Sequence, residues 1–265
     1  MVTSTPSPTL KALTSEQVEA FRHRGYLAPL PLFTQDEAAA LRADYPRLKA
    51  LLLPELQISR INWWHKRNRT LYNLCMHPRV LDHVEDLLGP SFFLWGSQFF
   101  SKEPHDAAHV PWHQDAKYWP LAPQHSVTVF IAWSDCSPDN GCMRVVPGTH
   151  RTDDLLEHGM LTDPNALLPR IVQDSRVDYD TAVDLVLEPG WISLHHDGIV
   201  HGSGPNTSDR PRIAWTCRFS AAEVKCDLSV WPTFQAFPAR GDGPFNHNPI
   251  GVPPTTEGAP TGMMQ

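Results

Sequence analysis

Hydrophobic positions recur along this chain at two spacings. In the first third they fall three and four apart, the repeat of a helix with one buried face; from Ser91 onward they fall two apart, the repeat of a strand. Thr14-Ser15-Glu16-Gln17 and Thr34-Gln35-Asp36-Glu37 each set a threonine three residues before a Gln or Glu, the capping box that satisfies the first free N–H groups of a helix. They predict an amphipathic helix running to His23 and stopped by Gly25, and a second through Ala38-Ala39-Ala40-Leu41 to about Leu48. His77-Pro78 to Leu88-Gly89-Pro90 reads as a third, with proline just inside its start and glycine just past its end. Between these, Ile58 to Asn73 carries Trp63-Trp64-His65-Lys66-Arg67 with no clear period. It reads either as an irregular loop with half-buried tryptophans or as a wall or lid over a binding site.

The period-two region, rich in aromatic and β-branched residues, predicts strands at 92–101, 110–117, 126–134, 142–146, 184–188, 191–196, 199–203 and 212–219. Eight short strands behind a helical N-terminal third predict a mainly β protein. The expected core is a double-stranded β-helix, a jelly-roll or cupin-like barrel over about 91–220 with a ligand in its mouth and N-terminal α-helices on its flank. No Gly/Ser-rich or charged linker divides residues 14–265, so a single domain is expected there, after a disordered stretch at 1–13. Asp153 to Val183 is a polar insertion too long for a tight turn, of the kind that often covers a site. After Trp231 the chain is rich in Pro and Gly and is expected to wrap the surface, with a mobile end.

Composition narrows the function. Lys+Arg of 22 against Asp+Glu of 29 gives 22 − 29 = −7 and no basic run occurs, which argues against nucleic acid or an anionic membrane surface as a partner. The five cysteines form no CxxC and leave one over if paired, which suits reduced thiols in a cytoplasm. No apolar run reaches membrane-spanning length. Oligomeric state is not legible at this level.

The candidate chemistry gathers at Trp112-His113-Gln114-Asp115. Side chains two apart on a strand leave the same face, so His113 and Asp115 are expected to enter one space and Gln114 to point away from it. His201, in Val200-His201-Gly202-Ser203-Gly204, is the candidate third ligand. Two histidines and one carboxylate, with the remaining positions open, are the ligand set of non-haem Fe(II) oxygenases. In a chain with 14 histidines the HxD pair alone carries little weight. Arg212 adds to it: eleven residues past His201, at the head of a strand, its guanidinium fork suits a carboxylate bidentately, with the Ser203 hydroxyl to complete the grip.

These motifs, with Asn140-Gly141-Cys142-Met143-Arg144-Val145-Val146-Pro147-Gly148-Thr149-His150 and His201-Gly202-Ser203-Gly204-Pro205-Asn206, resemble the phytanoyl-CoA dioxygenase family of Fe(II)/2-oxoglutarate oxygenases over roughly residues 15 to 225. The resemblance implies iron on His113, Asp115 and His201, and 2-oxoglutarate held at its far carboxylate by Arg212 and Ser203, with Gln98 and Trp133 near that cosubstrate. It implies consumption of O2, release of succinate and CO2, and hydroxylation of an unactivated C–H on a small organic substrate. Related halogenases place Gly or Ala where this chain keeps Asp115, so hydroxylation is the expected outcome. By the same resemblance His150 belongs to a structural turn away from the iron.

Other residues compete for attention. Continued alternation past Asp115 would put Lys117 and Trp119 on the metal face as candidate substrate contacts, although Pro120 marks the end of the strand. His195-His196-Asp197 either orients His201 or lies on a solvent-facing turn. His105 and His109 have helical spacing to His113, but Pro104 and Pro111 make that segment a loop; Arg210 reads as turn, and Trp215 and Cys217 as core. Apart from Lys66, Arg67 and Arg69 no basic cluster suits the phosphates of coenzyme A, so a free small acid or a natural-product intermediate is expected ahead of a CoA ester. Two further readings stay open: a catalytically silent jelly roll that binds a metabolite, and zinc-assisted hydrolysis on the same three ligands.

Overall fold

Helices begin where the capping boxes place them. In α1 (Ser15–Arg24) the Thr14 side chain accepts from the Gln17 N–H while the Gln17 side chain returns the bond, and Gly25, at φ 82°, ends the helix by donating its N–H to Phe21. β1 (Tyr26–Pro31) and α2 (Gln35–Lys49) follow, the latter under the same double cap from Thr34 and Glu37. The computed structural model describes residues 9–152 and 154–260. Of the disorder expected at 1–13, residues 1–8 lie outside the described residues. The expectation fails for the last three: the backbone N–H groups of Lys11, Ala12 and Leu13 all donate to the Asp86 carboxylate, and Leu13 is buried. The mobile end expected for the tail falls partly on 261–265, also outside the described residues.

The aromatic segment resolves into two 3-10 turns, Ile58–Arg60 and Trp64–Lys66, and an unforeseen α3 (Arg69–Cys75) capped by Asn68. α4 (Pro78–Leu88) buries Val80, Leu81, Val84 and Leu88, the stripe that the pattern predicts.

The strands then run β2 (Phe92–Lys102), β3 (Val110–His113), β4 (Leu121–Ala122), β5 (Ser126–Ala132) and β6 (Met143–Val146). The insertion holds a small hairpin, β7 (His158–Met160) and β8 (Arg170–Val172). β9 (Val183–Leu185), β10 (Trp191–His196), β11 (Val200–Ser203) and β12 (Arg212–Ala221) complete the core, and the tail adds β13 (Lys225–Cys226) and β14 (Phe237–Arg240). Two antiparallel sheets form the jelly roll: a large one in the order β1-β10-β5-β12-β2-β14 and a small one in the order β3-β11-β6-β9. β3 is shorter than predicted, because the chain leaves the strand after His113 and tightens into a 3-10 turn over Asp115–Lys117.

β12 explains how the core and the site share one sheet. All ten of its residues are buried, yet they alternate in polarity. Ile213, Trp215, Cys217 and Phe219 enter the apolar core, where α4 packs on β5 and β12. Arg212, Thr216 and Arg218, on the opposite face, line a cavity between the sheets. Polar residues at Arg212, Thr216, Arg218 and Ser220, with only Ala214 among them, would normally mark a wet face; here they mark an interior one.

Candidate metal centre

His113 and His201 are brought together by strand register. β3 and β11 pair antiparallel with His113 directly opposite His201, and the two imidazole centroids lie 4.1 Å apart. Asp115 joins them through the 3-10 turn that follows β3, fixed by an Ala116 N–H bond to the Asp197 carbonyl. Its Oδ1 lies 3.4 Å from His113 Nε2, and one ligand atom from each of the three residues falls within 4.8 Å of the others. Gln114 does point away. Its Nε2 donates to the Gly198 carbonyl at 2.6 Å, its Oε1 accepts from Leu156 N–H at 2.8 Å, and its own N–H donates to His158 Nε2. One side chain thereby ties the ligand-bearing turn to the β10–β11 turn and to the insertion.

The tautomers suit a metal. His113 Nδ1 lies 2.9 Å from the Pro111 carbonyl and His201 Nδ1 3.0 Å from that of Ile199. A carbonyl only accepts, so both Nδ1 atoms carry the proton and both Nε2 lone pairs face the shared space. Burial, with the neighbouring His113 next, holds His201 well below the ordinary histidine value and so neutral. Burial opposes ionisation of Asp115, but its close contacts with His113 and His195 and the positive charge of Arg218 outweigh it and keep the carboxylate ionised. His195 Nε2 lies 3.7 Å from Asp115 Oδ2, so of the rival His195-His196-Asp197 cluster it is His195 that reaches the centre, beside the carboxylate. His196 faces Asp197 instead, at 3.0 Å.

The centre opens on a cavity of about 490 Å3, a size that takes small organic ligands. Arg212 is fully buried in its wall, its Nε has no hydrogen-bond partner and its guanidinium lies over the Phe130 ring. A buried guanidinium is costly without an anion, so this side chain fits the far carboxylate of a keto acid. Ser203 lines the same wall, and its Oγ accepts from Lys102 Nζ at 2.9 Å, leaving its own proton to donate. Lys102 went unread in the sequence: a lysine at a strand end looks like a solvent residue. It is buried because β2 pairs it directly with Arg212, and burial, then the charge of Arg212, pushes its ammonium down to about 6.

Gln98 lines the cavity, donating to the Ser59 carbonyl and accepting from Arg218. Trp119 lines it too, edge-on to Trp95 at 4.6 Å. Trp133 does not. Inward positions on β5 are Thr128 and Phe130, so by alternation Trp133 turns outward into the core, against Phe99 at 5.1 Å. Lys117 is exposed and off the cavity, because the 3-10 turn ends the alternation that would have brought it in. His150 Nε2 bonds the Arg22 carbonyl, and Arg210 pairs with Asp135 and Asp139 on the surface. The tryptophan pair divides: Trp64 is core, while Trp63, at φ 62°, lines the cavity. Arg218 and Trp231 were missed altogether and both line it. For Arg218 a signal existed, since it stands six residues from Arg212 on a period-two strand.

A jelly roll that offers two imidazoles and a carboxylate on one side of a cavity, and an uncompensated cation on the other, has the architecture of the non-haem iron oxygenases. The chain matches the Phytanoyl-CoA dioxygenase (PhyH) family over residues 21–214 and belongs to that family of Fe(II)/2-oxoglutarate oxygenases. It is 25% identical over 252 residues to the peroxisomal phytanoyl-CoA dioxygenase of Mus musculus, covering 81% of this chain and 70% of that protein. The corresponding Bos taurus protein is 27% identical and covered to 64% of its length, 80% of this chain. A probable alpha-ketoglutarate-dependent hypophosphite dioxygenase of Stutzerimonas stutzeri is 25% identical, covering 82% of this chain and 80% of that one. Among solved structures, the non-heme monooxygenase ThoJ in its apo form superposes with a TM-score of 0.77 at 26% identity, covering 91% of this chain and 89% of that one.

Proposed function

We propose that this protein hydroxylates an unactivated C–H of a small organic substrate, with 2-oxoglutarate and O2 consumed and succinate and CO2 released. The observation that carries the reading is the convergence of three buried ligands, their Nε2 and carboxylate atoms turned to one point, with the uncompensated guanidinium of Arg212 in the same cavity. Iron held there would supply the oxidising step. The chain's own residues do the rest. Arg212 and Ser203 anchor the far carboxylate of the keto acid and so fix its other end toward the ligands. His195 steadies Asp115, and Gln114 keeps the turn that carries it from drifting. Trp63, Trp95, Trp119 and Trp231 wall the substrate side with apolar surface and keep water from the reacting carbon. All five cysteines are buried free thiols, which supports a reducing compartment such as the cytoplasm. Among the described residues no helix is long and apolar enough to cross a membrane.

Anaerobic addition of Fe(II) and 2-oxoglutarate should produce the weak visible charge-transfer band of the chelate, and a screen of small organic acids read by succinate release should find a substrate. A protein that binds a metabolite but forms no band and no succinate would be a silent jelly roll instead.

A further inference from the structure

Arg218 is the buried charge that this chemistry does not use. It lies on the same face of β12 as Arg212, six residues on and so ~20 Å along the strand. Its hydrogen bonds are long and go to neutral amides, Gln98 Oε1 at 3.3 Å and Asn62 Oδ1 at 3.4 Å, and its Nε is buried with no partner. Among the described residues no carboxylate comes within ion-pair distance of it. Asp115 is the acid whose field reaches it, and that carboxylate is one of the three candidate metal ligands. Count the charges with the centre loaded: iron, Asp115, the keto-acid dianion and Arg212 cancel, so Arg218 remains as surplus, and Lys102, if protonated, adds to it.

The surroundings are built for this side chain. Gly96 faces it across the sheet, and a Cβ there would come within 3.0 Å of Arg218 Cδ, so the glycine makes the room in which the guanidinium lies. Trp119 and Phe100 flank the guanidinium with their rings, 5.5 and 5.9 Å from Cζ. Beyond them Trp95 and Trp231 contact each other at 5.9 Å, and Trp231 meets Trp63 at 6.3 Å. A buried cation set into a box of indoles has a definite complement.

We propose that Arg218 is the substrate's anion receptor, and that the substrate is a small organic acid: an oxyanion, carboxylate or phosphonate, on an apolar and preferably flat body held among Trp63, Trp95, Trp119 and Trp231. This rests on the oxygenase reading and names the substrate class of the same site. The placement also orders the molecule. With its anion on Arg218, the body spans the cavity toward His113 and His201, and the carbon to be oxidised is one that lies away from the acid group rather than next to it.

The test uses the full-length protein loaded anaerobically with Fe(II) and saturating 2-oxoglutarate. Matched probes are titrated in, phenylacetate against phenylacetamide, indole-3-acetate against indole-3-acetamide, and benzylphosphonate, and the perturbation of the charge-transfer band is read. In the wild type at least one acid should bind about tenfold or more tighter than its amide. Arg218→Gln should bring the pair within about twofold, the acid-to-amide ratio being read on that variant's own band. Gly96→Ala keeps the charge but crowds it, and should reduce the preference by a smaller factor, which covers the case in which Arg218→Gln does not fold. A wild type in which no anionic probe outbinds its neutral partner, or a preference that survives Arg218→Gln, overturns the proposal and leaves Arg218 a structural cation. Absence of the band in the wild type overturns the oxygenase reading and this one with it.

Discussion

Arg212 and Arg218 leave the same face of one strand and meet different surroundings. At the Arg212 end the neighbours are Lys102 and Ser203, an amine and a hydroxyl that add donors beside the guanidinium. At the Arg218 end they are Asn62, Gln98 and four indoles, which offer few donors and much apolar surface. The first environment suits a small, highly charged acid with little body. The second suits an acid whose body supplies most of the contact. Two identical side chains are thus made to choose different ligands by what packs beside them, and the metal ligands sit between the two choices.

The comparison breaks altogether if the centre is removed. His113→Ala should abolish succinate formation, a loss beyond the ~100-fold that follows removal of a partner outside the ligand set, and should erase the chelate band. Next in size, Arg212→Ala should raise the 2-oxoglutarate concentration needed for half-maximal turnover by on the order of 30-fold or more, since it leaves a buried carboxylate unpaired. The acid-against-amide ratio of the preceding section should not move in that variant, and a change there would show that the two ends are not separate.

A subtler effect concerns protons. With its ammonium pushed down to about 6, Lys102 is neutral near pH 8, whereas a lysine of the unfolded chain stays protonated up to 10.5. The unfolded state therefore binds the extra proton between those values, and this group's contribution to stability rises with pH across that window. Bringing the keto-acid carboxylate beside the amine draws the proton in. Calorimetry at pH 8 in buffers of different ionisation enthalpy should register net proton uptake on 2-oxoglutarate binding, and Lys102→Met should lose it. Smallest of all, Trp133→Phe should lower Tm by about 2–4 °C through lost core packing and leave the 2-oxoglutarate requirement within about twofold. A large rise in that requirement would restore Trp133 to the cosubstrate's side.

What could be read before folding followed from local rules. The capping threonines, the Pro78–Gly89 bracket and the period-two run each act over a few residues, so the helices and the core strands stood in the sequence. The ligand triad was legible because spacing and residue type coincide at His113 and Asp115, though by another route than alternation, since Asp115 reaches the site through a 3-10 turn. Lys102 and Trp231 could not be read in the same way. Each becomes part of the site through pairing or packing with a distant segment, as Lys102 does opposite Arg212, and no nearby residue announces it. Lys117 was misplaced because it lies in a tight turn, where counting by twos loses its meaning; Trp133 was placed by resemblance, and the alternation of β5 carries it into the core instead.

The tail beyond β12 does not merely coat the barrel. β14 zips onto β2, Phe237 stacks edge-on to His65, and Trp231 stands in the cavity wall. The Arg212 end of the cavity therefore lies on the strands of the barrel, while one indole of the substrate wall rides on a late, loosely patterned ribbon. Exchanging that ribbon between relatives would remodel one side of the substrate wall and leave the three ligands where they are.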